Sequence, residues 1–264
     1  MRRVKLTIAY DGTACCGFQI QPEARTVEGE LNHALSELTG VPVSVIGASR
    51  TDSGVHALGN VAVFDTESTI PSEKFPLAIQ AYLPADIRVV KGEDVPDDWH
   101  PRKQDCVKTY EYVFSCGQVE DPKMRFYSSL QRKRVDLAAM QAAAQYLVGE
   151  HDFTSFANPS SQVLLEGGSA VRTIYSIDVT EDIADGASLN RTIRIRITGN
   201  GFLYNMVRII AGTLMNVGTG LWKPERVREA LEAKDRTKAG TTAEARGLTL
   251  IRIAYPAIPA EECS

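Results

Sequence analysis

GASRTDSGVHA, residues 47–57, is a run of small and polar residues between two segments of strand character. Residues 43–47 alternate ahead of it, and Val61 to Phe64 follows as a continuous apolar stretch, so a strand is predicted on each side. The run from Ala48 to Leu58 has little apolar content and is predicted to be a loop. Its side chains are therefore expected at the edge of a sheet.

The loop carries one carboxylate, Asp52, and one guanidinium, Arg50. The tripeptide Asp-Ser-Gly that begins at Asp52 is also a good turn sequence, because Asp bonds the backbone two residues on and Gly accepts positive φ. A turn alone requires neither the Arg-Thr before it nor the Val-His-Ala after it. Both interpretations, a simple turn and a loop that presents reactive groups, stay open from the local residues.

Strands and helices alternate outward from this loop along the whole chain. The predicted strands are 4–10, 43–47, 61–64, 87–90, 107–114, 171–179, 192–198 and 248–254, and the predicted helices are 27–38, 72–83, 137–148, 203–217 and 224–233. Thr26 and Asp136 precede two of these helices, where a side-chain oxygen can accept a first-turn N–H. Strand runs with helices and hairpin connections between them predict an α+β fold with a largely antiparallel sheet.

Each half of the chain combines about two major helices with three or four strands, a pattern that suggests structural duplication. We place the boundary near residue 105. The predicted domains are an N-terminal α+β half, residues 1–105, which carries the Asp52 loop, and a C-terminal α+β half, residues 106–264.

Composition is that of a globular protein: 264 residues, 44% hydrophobic and 23% charged, with a net charge of -4. Acidity argues mildly against a nucleic-acid partner, although local clusters, not net charge, contact phosphates. Basic residues cluster at Arg2, Arg3 and Lys5, at Arg102, Lys103 and Lys108, at Arg132, Lys133 and Arg134, and at Arg191, Arg194 and Arg196. The alternative is that these are solvated strand faces and ends.

The five cysteines have the spacing of neither a disulfide framework nor a zinc knuckle, which favours a reducing compartment. The first residues pass from basic side chains into a strand pattern without the apolar core of a signal peptide. The most apolar stretch, 202–217, is too short and too polar to span a bilayer. We therefore expect a cytoplasmic protein with no membrane association.

Residues 201–212, GFLYNMVRIIAG, predict a helix that is apolar nearly all round and therefore buried. Arg208 lies inside it, and a buried guanidinium is costly unless a carboxylate accompanies it. Asp52 is the best candidate for that carboxylate, with Asp152 and Asp178 as alternatives. Equally, the side chain of Arg208 could reach the exposed edge of the helix.

A third segment, KTYEY at residues 108–112, places Tyr110 and Tyr112 on one face of a strand. Such pairs usually pack a sheet. They could also stack on a nucleobase, with Lys108 nearby for a phosphate.

Several catalytic signatures are absent from the sequence. It contains no H-E-x-x-H zinc motif, no phosphate-binding G-x-x-x-x-G-K, no G-x-G-x-x-G after a strand and no G-x-S-x-G elbow. Metal hydrolases, nucleotide-dependent enzymes and serine hydrolases are therefore disfavoured.

Taken in order, these segments resemble the tRNA pseudouridine synthases of the TruA type nearly end to end. The segments that carry the resemblance are 10–13 (YDGT), 17–19 (GFQ), 47–57, 99–102 (WHPR), 108–110 (KTY), 151–156, 202–212, 239–240 and 245–248. This chain departs from the family pattern at Phe18, where Trp is usual, at Ser49, where Gly is usual, and at Thr242 and Glu244, where Pro is common. The run Arg-Thr-Asp-x-Gly-Val-His-Ala is the most specific single piece.

The resemblance implies a pseudouridine synthase fold, in which two α/β halves join around a central active-site cleft. It implies three catalytic residues. Asp52 would be the essential carboxylate, either a nucleophile at C1′ or a base at C2′ of the uridine. Arg208 would be its basic partner and would hold it ionised. Tyr110 would stack on the uracil and help to remove the C5 proton.

Other residues would bind the substrate by the same resemblance. Arg50 would assist base flipping, which is required because C1′ is shielded inside a stem. Leu248 would line the uracil pocket. Lys108, His56 and Arg102 would complete the contacts to tRNA.

Substrate and product are isomers, so the resemblance implies neither a cofactor nor a metal. It further implies a homodimer with a basic cleft for tRNA. Its usual targets are uridines on the 3′ side of the anticodon stem-loop, at tRNA positions 38, 39 and 40. Two other hypotheses are an RNA-binding protein without activity and a glycosidase-like hydrolase, which normally needs two facing carboxylates.

Overall fold

A computed structural model describes residues 1–182 and 189–256. In chain order the strands are β1 (Arg2–Tyr10), β2 (Ile46–Gly47), β3 (His56–Thr66), β4 (Ile87–Val95), β5 (Val107–Cys116), β6 (Ser129–Gln131), β7 (Gly149–Asp152), β8 (Val171–Asp182), β9 (Arg191–Gly199) and β10 (Leu248–Ala254). The helices are α1 (Val27–Thr39), α2 (Phe75–Ala78), α3 (Leu137–Ala144), α4 (Gln162–Leu165), α5 (Met206–Gly218) and α6 (Glu225–Ala233). Part of the segment between β8 and β9, and the fifth cysteine, Cys263, lie outside the described residues.

The described residues form two compact units, one of residues 1–106 and 249–256 and the other of residues 107–182 and 189–248. The expected halves were residues 1–105 and 106–264. Residues 249–256 group with the first unit, because β10 pairs with β3 through Thr249 and Leu250. The assignment of separate functional roles to the two halves stays a prediction.

In the first unit, β1 lies between β4 and β3 and pairs with both in antiparallel fashion. β2 adds an antiparallel partner to β3, and β10 adds a parallel one. Alternate residues of β1 are buried, as expected for a strand with one face on the core. The core of this unit includes Val4, Leu6, Ile8, Leu31, Leu35, Phe64 and Phe75.

In the second unit, β5, β9, β8 and β7 form an antiparallel sheet, and the short β6 runs parallel to β5. Helix α3 packs against α5 and β8. The core includes Tyr112, Phe153, Phe156, Ile195, Ile210 and Leu214. Both units are therefore mixtures of helices with largely antiparallel sheets, which confirms the predicted α+β class.

Both predicted caps are present. The side chain of Thr26 accepts a hydrogen bond from the backbone N–H of Gly29 at 3.3 Å, and that of Asp136 accepts one from Ala139 at 3.0 Å. These bonds satisfy N–H groups that have no acceptor inside the helix.

Residues 72–83, predicted as one helix, are helical up to Ala81 but only in short pieces. The segment is a 3-10 turn (Ser72–Lys74), the short helix α2 and a second 3-10 turn (Ile79–Ala81). Pro76 has no N–H to donate to the carbonyl of Ser72, so the α-helical ladder cannot begin there.

The predicted strand bounds around the loop also need correction. The strand at 43–47 is reduced to Ile46–Gly47, because the N–H groups of Val43 and Val45 donate to side chains of α1, namely Ser36 Oγ at 2.9 Å and Asn32 Oδ1 at 2.8 Å. β3 begins at His56 and not at residue 61, since its first residues pair with β1 and β10.

Candidate active site

Asp52 lies half-buried on the loop between β2 and β3, which spans residues 48–55. Arg50, two residues before it, is exposed on the same loop. Because both flanking strands pair within the first unit, the sheet fixes the two ends of the loop.

A chain of buried polar groups fixes the middle of the loop. The hydroxyl groups of Tyr10 and Thr51 lie 2.7 Å apart. The side-chain amide of Asn60, fully buried at 0% exposure, donates to Tyr10 Oη at 3.1 Å and to the carbonyl of Ser49 at 3.0 Å. Buried polar networks of this kind are rigid when every member is satisfied. Asp52 is thus presented by backbone that is held on its N-terminal side.

The segment after β1 holds the other side of the loop. Phe18 donates its N–H to the carbonyl of Thr51 at 3.0 Å, and Gly54 donates to the carbonyl of Cys15 at 3.3 Å. Gly17 has φ of 90°, and a Cβ there would lie 2.8 Å from the Thr51 carbonyl oxygen. The segments YDGT and GFQ, quoted above for their resemblance, are therefore structural supports of the loop.

His56 is buried beside the same segment. Its Nδ1 accepts a hydrogen bond from the N–H of Gly12 at 3.1 Å and lies 3.2 Å from Asp11 Oδ1. These contacts join the first residue of β3 to the end of β1. The expected role of His56 in substrate binding stays a prediction.

Arg102 is exposed on the turn that follows Trp99. Its N–H donates to His100 Nδ1 at 3.2 Å. The pKa of His100 is lowered, first by desolvation and then by the positive charges of Arg102 and Lys103. This turn is therefore a locally positive surface of the first unit.

Two of the other basic clusters are neutralised by carboxylates. In the first unit Arg2 pairs with Asp94 at 2.6 Å, Arg3 with Asp65 at 2.7 Å and Lys5 with Glu93 at 3.1 Å. In the second unit Arg191 pairs with Glu181 at 2.7 Å, Arg194 with Asp182 at 2.6 Å and Arg196 with Glu111 at 2.7 Å. For these two clusters the alternative of solvated strand faces is the better one.

Tyr110 lies in β5 of the second unit and is 8% exposed. Its ring meets the ring of Phe202 edge to face, with centroids 5.3 Å apart and planes at 85°. Lys108, two residues earlier and half-buried, lies opposite Gly199 of β9. Phe202 thus fixes the ring orientation of Tyr110, while its stacking on uracil stays a prediction.

Arg208 lies inside a helix, as predicted, but in its first turn, because α5 begins three residues later than the predicted start at residue 203. Asn205 takes a left-handed conformation, with φ of 62°, so the helix begins only at Met206. Arg208 is half-buried, and its guanidinium donates to the carbonyl of Ala243 at 2.8 Å and to Asn205 Oδ1 at 2.9 Å. Its predicted pairing with Asp52 stays a prediction.

The two alternative partners of Arg208 have other surroundings. Asp152 accepts hydrogen bonds from Thr154 and pairs with Lys234 at 3.0 Å, and these contacts hold the pKa of its carboxyl below the usual value, Thr154 first. Asp178 is exposed on β8 and lies opposite Arg196 of β9.

The segment that leads to Leu248 is fixed from two directions. Ala243 donates its N–H to the carbonyl of Arg208 at 3.1 Å, and Tyr112 donates its hydroxyl to the carbonyl of Glu244 at 2.8 Å. Leu248 itself is buried at the end of the 3-10 turn that follows. Burial raises the pKa of Tyr112 above its usual value, so the phenol stays protonated and able to donate.

From the sequence, Tyr112 is predicted only to share one strand face with Tyr110. The signal that could have marked it is its hydroxyl, because a tyrosine buried in a core needs an acceptor for its O–H.

Within residues 1–182 and 189–256, no group of three or more His, Cys, Asp or Glu side chains is placed to hold a metal ion. Of the cysteines in the described part of the chain, Cys15, Cys16, Cys106 and Cys116, none forms a disulfide. In the described part of the chain, none of the helices has the length and apolarity needed to cross a bilayer.

The model of one protein family, described as tRNA pseudouridine synthase, matches residues 6–102 and 143–256. Those two blocks include the Asp52 loop, the start of α5 and the segment up to Leu248. This chain belongs to the tRNA pseudouridine synthase family. Such enzymes isomerise uridine to pseudouridine in tRNA.

Relatives named tRNA pseudouridine synthase A cover nearly the whole chain. The protein of Brevibacillus brevis is 45% identical over 255 residues, which are 97% of this chain and 100% of that protein. That of Caldicellulosiruptor bescii is 42% identical over the same lengths. That of Bacillus subtilis is 45% identical over 255 residues, 96% of this chain and 99% of its own. The pseudouridine synthase resemblance therefore extends across residues 103–142, which the family model leaves unmatched.

Proposed function

We propose that Asp52 is the catalytic carboxylate with which this isomerase converts uridine to pseudouridine in the anticodon stem-loop of tRNA. One observation carries the proposal: the loop of Asp52 is held on both sides by buried hydrogen bonds from residues 10–18 and from Asn60. A single turn on a protein surface needs no such support. Rigid presentation of one carboxylate is what a reaction at one carbon centre requires.

The reaction breaks the bond between N1 of uracil and C1′ of the ribose, turns the base, and joins C5 to C1′. C5 loses its proton and N1 gains one, so atoms balance without an oxidant, a reductant or a second substrate. A carboxylate serves this chemistry either by attack on C1′ or by removal of a proton at C2′.

Arg208 and Tyr110 complete the proposed catalytic set. Arg208 stands at the N-terminal turn of α5, where the backbone N–H groups of the helix end add a positive potential beside the charged guanidinium. That position favours an anionic partner, and we assign Asp52 to it. Tyr110, with its ring held by Phe202, would stack on the uracil and take part in the transfer of the C5 proton.

The remaining residues would bind the substrate. Exposed Arg50 would fill the stack that the flipped uridine leaves. Arg102 and Lys108 would contact phosphates, Leu248 would line the uracil pocket, and His56 would support the loop beneath it. The resemblance also leads us to propose a homodimer that acts in the cytoplasm.

The direct test is product analysis with unmodified tRNA. We expect pseudouridine at positions on the 3′ side of the anticodon stem-loop, quantified by nucleoside mass spectrometry, with no free uracil. Accumulation of free uracil would show a glycosidase-like hydrolase. Tight tRNA binding without either product would show an RNA-binding protein that has no activity.

A further inference from the structure

Five cations of the second unit flank strand β6 and are all exposed. Lys123 and Arg125 lie in the turn before β6, and Arg132, Lys133 and Arg134 follow it directly. We call these five residues the β6 basic surface. A three-residue strand spans roughly 10 Å, so both groups lie within reach of one nucleic-acid strand.

Carboxylates do not neutralise this surface as they do the clusters at residues 2–5 and 191–196. Throughout residues 1–182 and 189–256, none of the five cations forms an ion pair. The guanidinium of Arg125 donates to the carbonyl of Pro122 and lies 4.1 Å from the ring centroid of Phe126. The charge of the surface is therefore left for an external anion.

The nearby acidic groups are already engaged. Glu120 and Glu244 both bind Arg246, at 2.7 and 2.5 Å. Asp121 is buried and accepts two backbone N–H groups, at 2.9 and 3.0 Å. Asp136 caps α3. Each of these carboxylates is thus engaged by a group other than the five charged side chains.

Two aromatic rings stand among these cations. Phe126 is 40% exposed and Tyr127 is 43% exposed, in a turn fixed by hydrogen bonds from Met124 N–H to the carbonyl of Asp121 at 3.0 Å and from Tyr127 N–H to that of Met124 at 2.9 Å. Exposed rings between arginines and lysines are typical of surfaces that bind a single RNA strand, because bases stack on the rings while cations meet the phosphates.

We propose that the β6 basic surface binds the tRNA substrate, with its cations on backbone phosphates and with Phe126 and Tyr127 stacked on unpaired bases. The inference rests on the proposed function, since it takes tRNA as the occupant. It adds a substrate contact within residues 103–142, outside the match to the family model.

The test removes the three contiguous charges in a variant that carries Arg132→Gln, Lys133→Gln and Arg134→Gln. All three side chains are exposed, so the variant should fold. We expect tRNA to bind about tenfold more weakly at low salt, and the slope of log affinity against log salt to fall by about two. The rate at saturating tRNA should not change.

The matched control removes three exposed charges elsewhere in the same unit, with Lys223→Gln, Arg228→Gln and Lys238→Gln. It should bind tRNA as the wild type does. A second variant, Phe126→Leu with Tyr127→Leu, should weaken binding but keep the salt slope, because stacking is not ionic.

Equal losses in the control and the test variant would overturn the proposal, since net charge alone would then explain them. Unchanged affinity in the test variant would overturn it as well. The two proposals can fail separately. If the wild type makes no pseudouridine, but tRNA affinity falls in the test variant and not in the control, the proposed function is contradicted and the RNA-binding surface is supported.

Discussion

At the scale of single residues, the loop of Asp52 depends on hydrogen bonds from the side chains of Tyr10 and Asn60. Asp52 stands out because it is the one carboxylate in a run of small residues. Tyr10 and Asn60 do not stand out, since their hydrogen bond joins residues 50 positions apart. Such a bond exists only once β1 and β3 pair, and no local pattern announces it.

Tyr112 holds the segment before Leu248 through its hydrogen bond to the Glu244 carbonyl. Tyr112→Phe removes the hydrogen bond to the Glu244 carbonyl, which should cost about 1 kcal/mol of unfolding free energy. The segment before Leu248 then loosens, so we expect kcat to fall several-fold with tRNA affinity unchanged. Denaturant unfolding measures the change in stability, steady-state kinetics measure kcat, and equilibrium binding measures the affinity for tRNA.

The matched control is Tyr255→Phe, because the hydroxyl of Tyr255 also donates to a backbone carbonyl, that of Pro101, at 2.9 Å. It should lose similar stability and keep full kcat. Equal effects of both variants on kcat would mean that Tyr112 has only a structural role.

At the scale of elements, most helices and strands follow their local signals, and the exceptions depend on distant pairing partners or on the backbone conformation of one residue. α1 follows its Thr26 cap and ends at Gly40, as its periodicity indicates. β3 begins earlier than its apolar content suggests, because partners distant in sequence recruit its first residues. α5 begins later than its apolar content suggests, because Asn205 is left-handed.

Gly17→Ala tests the support of the Asp52 loop by the segment after β1. The added Cβ would lie 2.8 Å from the Thr51 carbonyl oxygen and 3.3 Å from the Ser53 nitrogen, at a φ of 90°. We expect a loss of about 2 kcal/mol in stability and a drop in kcat, since the loop must shift. Thermal unfolding and the rate of pseudouridine formation report the two losses.

Gly40→Ala provides the comparison, since Gly40 also has a positive φ, 72°, but nothing lies within 4 Å of an added Cβ. It should lose about 1 kcal/mol of stability through backbone strain alone and keep full activity. If Gly17→Ala behaved in the same way, the segment would not position the loop.

At the scale of the whole molecule, the net charge of -4 does not indicate which basic residues form ion pairs and which face solvent. The sequence shows four basic clusters, and only the fold shows that two of them are neutralised by carboxylates on paired strands. Register decides which charges meet across strands, and a single sequence does not reveal register between distant segments.

The proposal assigns residues of both units to one reaction, so their substitutions should not be independent. We expect the kcat losses of Asp52→Glu and Arg208→Lys, measured as free energies, to be non-additive in the double variant. Asp52→Glu combined with Arg246→Lys should be additive. Additive losses in both pairs would show that Arg208 and Asp52 do not act together in the chemical step.

The release of tritium from tRNA labelled at C5 of uridine shows whether Asp52 carries the chemistry, when single turnovers of wild type, Asp52→Ala and the neighbouring Ser53→Ala are compared. We predict rapid release by wild type and by Ser53→Ala, and release at least about 10³-fold slower by Asp52→Ala with tRNA binding retained. Release by Asp52→Ala at the wild-type rate would contradict the account, because the chemistry would then lie on another residue.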